Sequence, residues 1–367
     1  MRRPSTESCA EHAAEALDFI LIPGDLTIDA ELASHEGFST AIARLEEAGV
    51  PVLVVPGNHD VNNPQAVSFD GDDTVSVPTV GPDEFAAIYA GFGYDEAFDR
   101  DPHSLSYVVE PVEGLWVIGM DSAIYDHNVD HSTTGGAFSA ETLDWILDTV
   151  SAGADADKTV IGMMHHGIRE HYVGQSLLFA EYLLTGWEIA SQQLAEAGMH
   201  VVFTGQYHSQ DITVGEFDGT LFYDVETGSL VTFPCPYRII ELEGRSMDIE
   251  SFFISEVPGL ALSVPFTEHA EAFLLEGITG LALALVQAPI DQGGFGLTPR
   301  QADIFAPHAA AGFMAHYAGE EIQDPTTMLT VAAFMISPEA NVQQLGLALG
   351  SLYSDLPPAD NAVIIDW

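Results

Sequence analysis

Four residues able to hold a hard cation stand directly after short apolar runs. Phe19 to Ile22 leads into Pro23-Gly24-Asp25, and Val52 to Val55 leads into Pro56-Gly57-Asn58-His59-Asp60. Thr159 to Met164 leads into His165-His166, and His200 to Thr204 into Gly205-Gln206-Tyr207-His208. Asp25, Asn58, His165 and His208 offer carboxylate, amide-oxygen and imidazole donors without a thiolate, a set suited to Mn²⁺, Fe or Zn²⁺. A glycine beside Asp25 and Asn58, and shortly before His208, lets the backbone turn and present each side chain at the end of its run. Singly, such residues are ordinary turn dipeptides or satisfied polar groups. Four of them in chain order, each at the same kind of place, point to one shared metal site.

The runs that carry them are short and continuously apolar, as strands buried on both faces are. Ligands in layered α/β folds bind beyond the carboxyl ends of such strands. Leu115 to Met120, ending at Asp121, makes a fifth run of the kind. Between them the pattern predicts an alanine-rich helix from about Ala10 to Leu17 and another over residues 36 to 48, closed by Gly49. After residue 205 the runs become meander-like, around Asp211 to Phe217, Leu221 to Val225, Arg238 to Leu242 and Ser246 to Phe252, and read as antiparallel. Beyond Pro258 the pattern turns helical, near 266 to 288, 299 to 318 and 338 to 353, giving a domain over 1–257 and a helical appendage over 258–367. The longest apolar stretch, Phe273 to Ile290, is interrupted by Glu276, Gly277 and Gly280 and is expected to be a buried helix rather than a membrane span.

Composition excludes several functions. With 56 acidic and 9 basic side chains the formal charge is −47 and the sequence pI about 4.1, yet 47% of residues are hydrophobic and mean hydropathy is +0.16, so the chain folds. Eight arginines and a single lysine cannot track a nucleic-acid backbone. That lysine, Lys158, follows Ala-Asp-Ala-Asp rather than a glycine-rich loop, which argues against Walker, kinase and Schiff-base chemistry. The acid excess reads as adaptation to high salt, where the Debye length shrinks to about 3 Å at 1 M and self-repulsion is screened. Cys9 and Cys235 form no metal or redox motif, no apolar run follows Arg2 and Arg3 as a signal peptide requires, and the compartment stays open between cytoplasm and export. No serine-nucleophile elbow, zinc-protease helix, dinucleotide loop or EF-hand pattern is present.

Gly24-Asp25, Gly57-Asn58-His59-Asp60, His165-His166 and Gly205-Gln206-Tyr207-His208 resemble the motifs of the calcineurin-like metallophosphoesterase superfamily over roughly residues 18 to 255. The resemblance implies a two-layer β sandwich flanked by helices, two divalent ions (Mn, Fe or Zn) and hydrolysis of a small phosphorylated substrate. It makes Asp25 the carboxylate bridging both metals, Asn58 and His165 ligands of the second metal, and His208 a ligand of the first. His59 would reach the scissile ester, with Asp60 orienting its imidazole. Two departures bear on the metals. The family's Asp-x-His motif before the Gly-Asp strand has no counterpart in the eighteen residues that precede that strand, as in a chain that starts late; Asp101-Pro102-His103 matches its letters but in a loop further on. Gln206 stands where the family's Gly-His-x-His has its first histidine, a weaker ligand than imidazole. The alternative is therefore an impaired homologue that binds a phosphorylated ligand or a partner without turnover. His166 either contacts substrate or packs, and His171 either reaches the mouth of the site or is a solvated surface residue. His127 and His131 are expected at the surface, and Phe85, Tyr89, Phe92 and Tyr94 are expected to cap a helix and its turn.

Overall fold

The computed structural model describes residues 17–71 and 73–367. Cys9 and the alanine-rich helix expected from Ala10 lie outside the described residues. The first run forms β1 (Ile20–Ile22), followed by α1 (Leu32–Glu47) and β2 (Val52–Val54). β1 and β2 pair in parallel, Ile20 opposite Val52 and Ile22 opposite Val54, so the loops bearing Asp25 and Asn58 leave from the same end. A hairpin of β3 (Val67–Asp70) and β4 (Asp73–Ser76) precedes α2 (Pro82–Ile88). Phe85, Tyr89, Phe92 and Tyr94 are buried there as an edge-to-face and tilted aromatic cluster.

The chain then builds β5 (Asp99–Arg100), β6 (Tyr107–Val112), β7 (Leu115–Gly119), α3 (Ala140–Asp155), β8 (Thr159–Met163), α4 (Trp187–Ala197), β9 (Val201–Thr204), β10 (Asp211–Phe217) and β11 (Thr220–Glu226). Their strands form one seven-stranded sheet in the order β10-β11-β9-β8-β7-β6-β5. β7, β8, β9 and β11 run parallel, while β10, β6 and β5 are antiparallel to their neighbours. β12 (Pro236–Glu243) and β13 (Ser246–Phe253) follow as an antiparallel pair.

The period-two alternation of a strand sorts side chains between the two faces of the sheet. Val117, Ile161, Met163, Val201, Phe203 and Val225 point to one core, shared with Val52 and Val54 of β2 and Met247 and Ile249 of β13. Ile118, Val160, Val202 and Phe222 point to the other, against Ile146 and Val150 of α3 and Leu194 of α4. Each such burial contributes roughly 1.5–3 kcal/mol. The result is the expected sandwich of two β layers with helices outside: the seven-stranded sheet faces the β1–β2 and β12–β13 pairs across the first core.

Beyond residue 258 come α5 (Phe266–Gln287), α6 (Pro299–Tyr317), α7 (Pro325–Met335) and α8 (Ala340–Ser351), after which β14 (Ala362–Asp366) returns to pair antiparallel with β13. The expectation that the Phe273 to Ile290 stretch is buried is corrected. α5 buries Val286 and rests Ala282 and Leu283 on the helical core, but Phe273, Leu275, Leu281 and Leu285 are exposed. By length and composition α5 could cross a membrane.

Candidate metal centre

Asp25 and Asn58 are held where they are by two glycines in close contact. A Cβ on Gly57 would stand 2.1 Å from Asp25 Oδ1, and one on Gly24 would stand 2.6 Å from the Gly57 nitrogen, so neither position accepts a side chain. Asp25 itself has φ 53° and His208 φ 61°, left-handed backbone that costs free energy outside glycine and recurs at functional sites.

His165, at the end of β8, is the hub. Its Nδ1 donates to the Pro23 carbonyl at 2.8 Å, so Nε2 is the nitrogen that a metal could meet once its proton is displaced. That nitrogen faces Gln206 Oε1 at 2.6 Å, Asn58 Oδ1 at 3.2 Å and Asp25 Oδ1 at 3.3 Å. Gln206 cannot simply flip to offer its NH₂, because that group already donates to the Thr134 carbonyl at 3.1 Å. Three oxygens thus converge on one imidazole nitrogen, whose proton a cation would replace. The two longer separations match the roughly 3 Å between neighbouring donors of an ion bonded at about 2.1 Å. The residues present therefore fit a divalent cation, with the glutamine drawn closest. Burial works against an imidazolium at His165, yet the Asp25 carboxylate overrides it and lifts the imidazole to about 9. Burial would likewise raise Asp25, but His165 and His59 hold it well below the usual carboxylate range.

His208 is half-buried and pairs Nδ1 with Thr232 Oγ1 at 3.1 Å instead of joining this group directly. Burial lowers its pKa, against the pull of Asp25. His59 lies at the rim with its ring 39% exposed; its backbone N–H donates to Asp25 Oδ1 at 3.2 Å, and its Nδ1 meets the Ile28 carbonyl at 2.5 Å. Nε2 is the ring nitrogen left available.

Several expectations about individual residues are corrected by these contacts. Asp60 does not orient His59. Its carboxylate is fully buried and accepts from the backbone of Leu26, Thr27 and Gly57 and from Thr27 Oγ1, at 2.8–3.1 Å, tying the two motif loops together. Burial, then the Asp25 charge, pushes Asp60 up to about 6. His166 has no nitrogen left for a substrate, since Nδ1 meets Ser122 Oγ at 2.8 Å and Nε2 the Thr134 carbonyl at 2.9 Å. Burial, and then His165, depresses it to about 3. His171 is neither at the mouth nor at the surface: it is 1% exposed, with Nε2 3.1 Å from Glu226 Oε2. Asp101 lies outside the centre, its carboxylate taking bonds from the His103 backbone, Ser104 Oγ and Thr142 Oγ1, while His103 is exposed. His127 and His131 are exposed. Sequence reasoning missed the three carbonyls, of Pro23, Ile28 and Thr134, that aim His165, His59 and Gln206. A backbone acceptor leaves no residue-type signal.

The chain belongs to the calcineurin-like phosphoesterase family, whose model matches residues 5–208, more than half of its length. Among solved structures it is similar to a dimetal phosphatase from Danio rerio, at 12% identity over 67% of this chain and 84% of that one, with a TM-score of 0.46. No curated protein sequence matches it.

Proposed function

We propose that the chain hydrolyses a small phosphomonoester or phosphodiester with metal assistance. The observation that carries this reading is the meeting of Asp25, Asn58 and Gln206 oxygens at Nε2 of His165, the other nitrogen of which is already engaged. Asp25, Asn58, His165 and Gln206 would hold one divalent ion of the Mn, Fe or Zn class, and Asp25 with His208 would begin a second site. When bound, such a metal supplies positive charge for phosphoryl oxygens and a water acidic enough to ionise near neutral pH. The chain's own residues do the rest. His59, anchored through Nδ1 on Ile28, presents Nε2 at the rim, where it protonates the leaving oxygen or stabilises charge on it. Asp60 keeps the loops of Asp25 and Asn58 in register.

Hydrolysis of p-nitrophenyl phosphate and bis-p-nitrophenyl phosphate with added Mn²⁺ tests this. Asn58→Ala is expected to lower kcat/KM at least about a hundredfold and Gln206→His to raise it, since imidazole is the stronger donor. A second reading is favoured by one observation, the amide of Gln206 in a metal-facing position: an impaired homologue that binds a phosphorylated ligand without turnover. Phosphate binding by calorimetry, with no hydrolysis even in Gln206→His, would select it. The acid excess is in turn read as adaptation to high salt.

A further inference from the structure

A second group of ligating side chains lies where the helical region meets the seven-stranded sheet. His171 comes from the loop after β8, Asp211 opens β10, Glu226 closes β11 and His316 sits near the end of α6. All four are at most 1% exposed. One ligand atom each from His171, Asp211 and His316 lies within 4.8 Å of the other two. His171 Nε2 is 3.1 Å from Glu226 Oε2, and His316 Nδ1 is 3.8 Å from Asp211 Oδ2.

Several polar atoms of these side chains have no hydrogen bond, although His171 Nε2 forms ion pairs with Glu226 Oε2 and, at 3.8 Å, with Asp224 Oδ2. His171 Nε2, Glu226 Oε2, His316 Nε2 and both carboxylate oxygens of Asp211 are buried without a hydrogen bond. Native interiors leave few such atoms, each costly. The opposite nitrogen of each ring is anchored: His171 Nδ1 at 3.1 Å to Ser209 Oγ, and His316 Nδ1 at 2.7 Å to Glu321 Oε1. An imidazole held by an oxygen at one nitrogen, with the other facing carboxylates or free, is how histidines are prepared for metal. The nearby permanent cation, Arg238, spends its hydrogen bonds elsewhere, donating to the carbonyls of Asp211, Glu226 and Asp360 and to Ser251 Oγ rather than to the carboxylates. Burial accordingly drives Asp211 and Glu226 above the usual carboxylate range, as it does Asp360.

We propose that His171, Asp211, Glu226 and His316 form a site for one structural divalent cation of the zinc class, fastening the helical region to the sheet. Two imidazoles and two carboxylates are a zinc donor set, and four protein ligands in a buried place make a closed, structural site. Donors around a tetrahedral ion bonded at about 2.1 Å stand about 3.4 Å apart, close to the 3.1 Å between His171 Nε2 and Glu226 Oε2 and within the 4.8 Å that bounds the ligand atoms of His171, Asp211 and His316. The site is independent of the phosphoesterase reading, because none of its ligands belongs to the group around His165.

The test removes the first centre and asks whether metal remains. Asp25→Asn/His165→Gln protein is incubated with Zn²⁺, desalted and assayed by elemental analysis, with the fold checked by circular dichroism. One zinc per chain is expected, together with a Tm raised by about 3–5 °C when Zn²⁺ stands a hundredfold above its Kd, and reversal by EDTA. Adding Asp211→Asn or Glu226→Gln should reduce zinc to below about a tenth per chain. Should those variants fail to fold, Co²⁺ in the background protein gives an independent reading: visible bands of a tetrahedral nitrogen-oxygen site support the proposal and their absence overturns it. A folded background protein that retains no zinc, with the same Tm in Zn²⁺ and EDTA, would mean that shared protons alone hold the cluster, and the proposal fails.

Discussion

The two oxygens of Asp60 collect four donors from the loops around Asp25 and Asn58, while the next residue back, His59, looks to Ile28 and solvent. Neighbours in a tight turn point apart, so adjacency in sequence misled about which group orients which. Asp60 also fixes the chain above it: its carbonyl meets His35 Nε2 at 2.9 Å, and Tyr89 Oη meets the other nitrogen of His35 at 2.8 Å. His35 is fully buried, and burial lowers its pKa from 6.5 to about 4, against the pull of the Asp60 carbonyl. Between those values the unfolded chain binds a proton that the folded chain refuses. Stability from this group is complete above about pH 6.5 and falls by up to about 3 kcal/mol as pH drops to 4. Urea unfolding at pH 7 and pH 5 should show it, and His35→Gln should flatten the pH slope by about 1.4 kcal/mol per unit. Equal slopes in both proteins would refute the assignment. That Asp25, Asn58, His165 and Gln206 come together was legible because glycine-flanked polar residues at strand ends are a local pattern. His171 was not, because what buries it comes from β10, β11 and α6, far along the chain.

At the scale of elements, the parallel strands were readable from their continuous apolar runs, and β1, β2, β7, β8 and β9 fall within the expected spans. β14 was not readable: it follows four helices, and its partner β13 lies more than a hundred residues earlier. Such pairing is fixed by tertiary contact, not by local propensity. Helix starts are the converse case, local and chemically explicit. Thr298 caps α6 with a reciprocal pair of bonds to Gln301, its Oγ1 accepting from the Gln301 N–H and its own N–H donating to Gln301 Oε1 at 2.9 Å. Thr298→Ala should cost about 0.5–2 kcal/mol in urea unfolding, and Thr298→Ser about nothing. A full cost in the serine variant would show that the methyl group, not the cap, is what matters.

For the whole molecule, charge is the dominant fact. Against a formal charge of −47, the described residues contain one pair between a permanent cation and a carboxylate side chain within 4 Å, Lys158 with Glu110 at 2.6 Å. Repulsion on this surface is therefore little offset by internal pairing and is open to screening by dissolved salt. Tm is expected to rise by about 5 °C or more between dilute buffer and 2 M KCl; identical melting curves would sink the idea of salt adaptation. Composition made the charge itself visible before any fold was known, whereas the direction in which α5 faces was not, since an apolar helix reads the same buried or bare.

The bare face of α5 gives that salt response a second side. Phe273 and Leu281 are each more than 70% exposed on a chain whose formal charge is −47. An electrolyte that screens the surface charge lowers the barrier between molecules, and an excluded salt such as sulfate strengthens attraction between apolar faces at the same time. As a colloid, the protein is thus expected to be kept apart by repulsion when dilute and to lose that barrier when brine collapses its double layer.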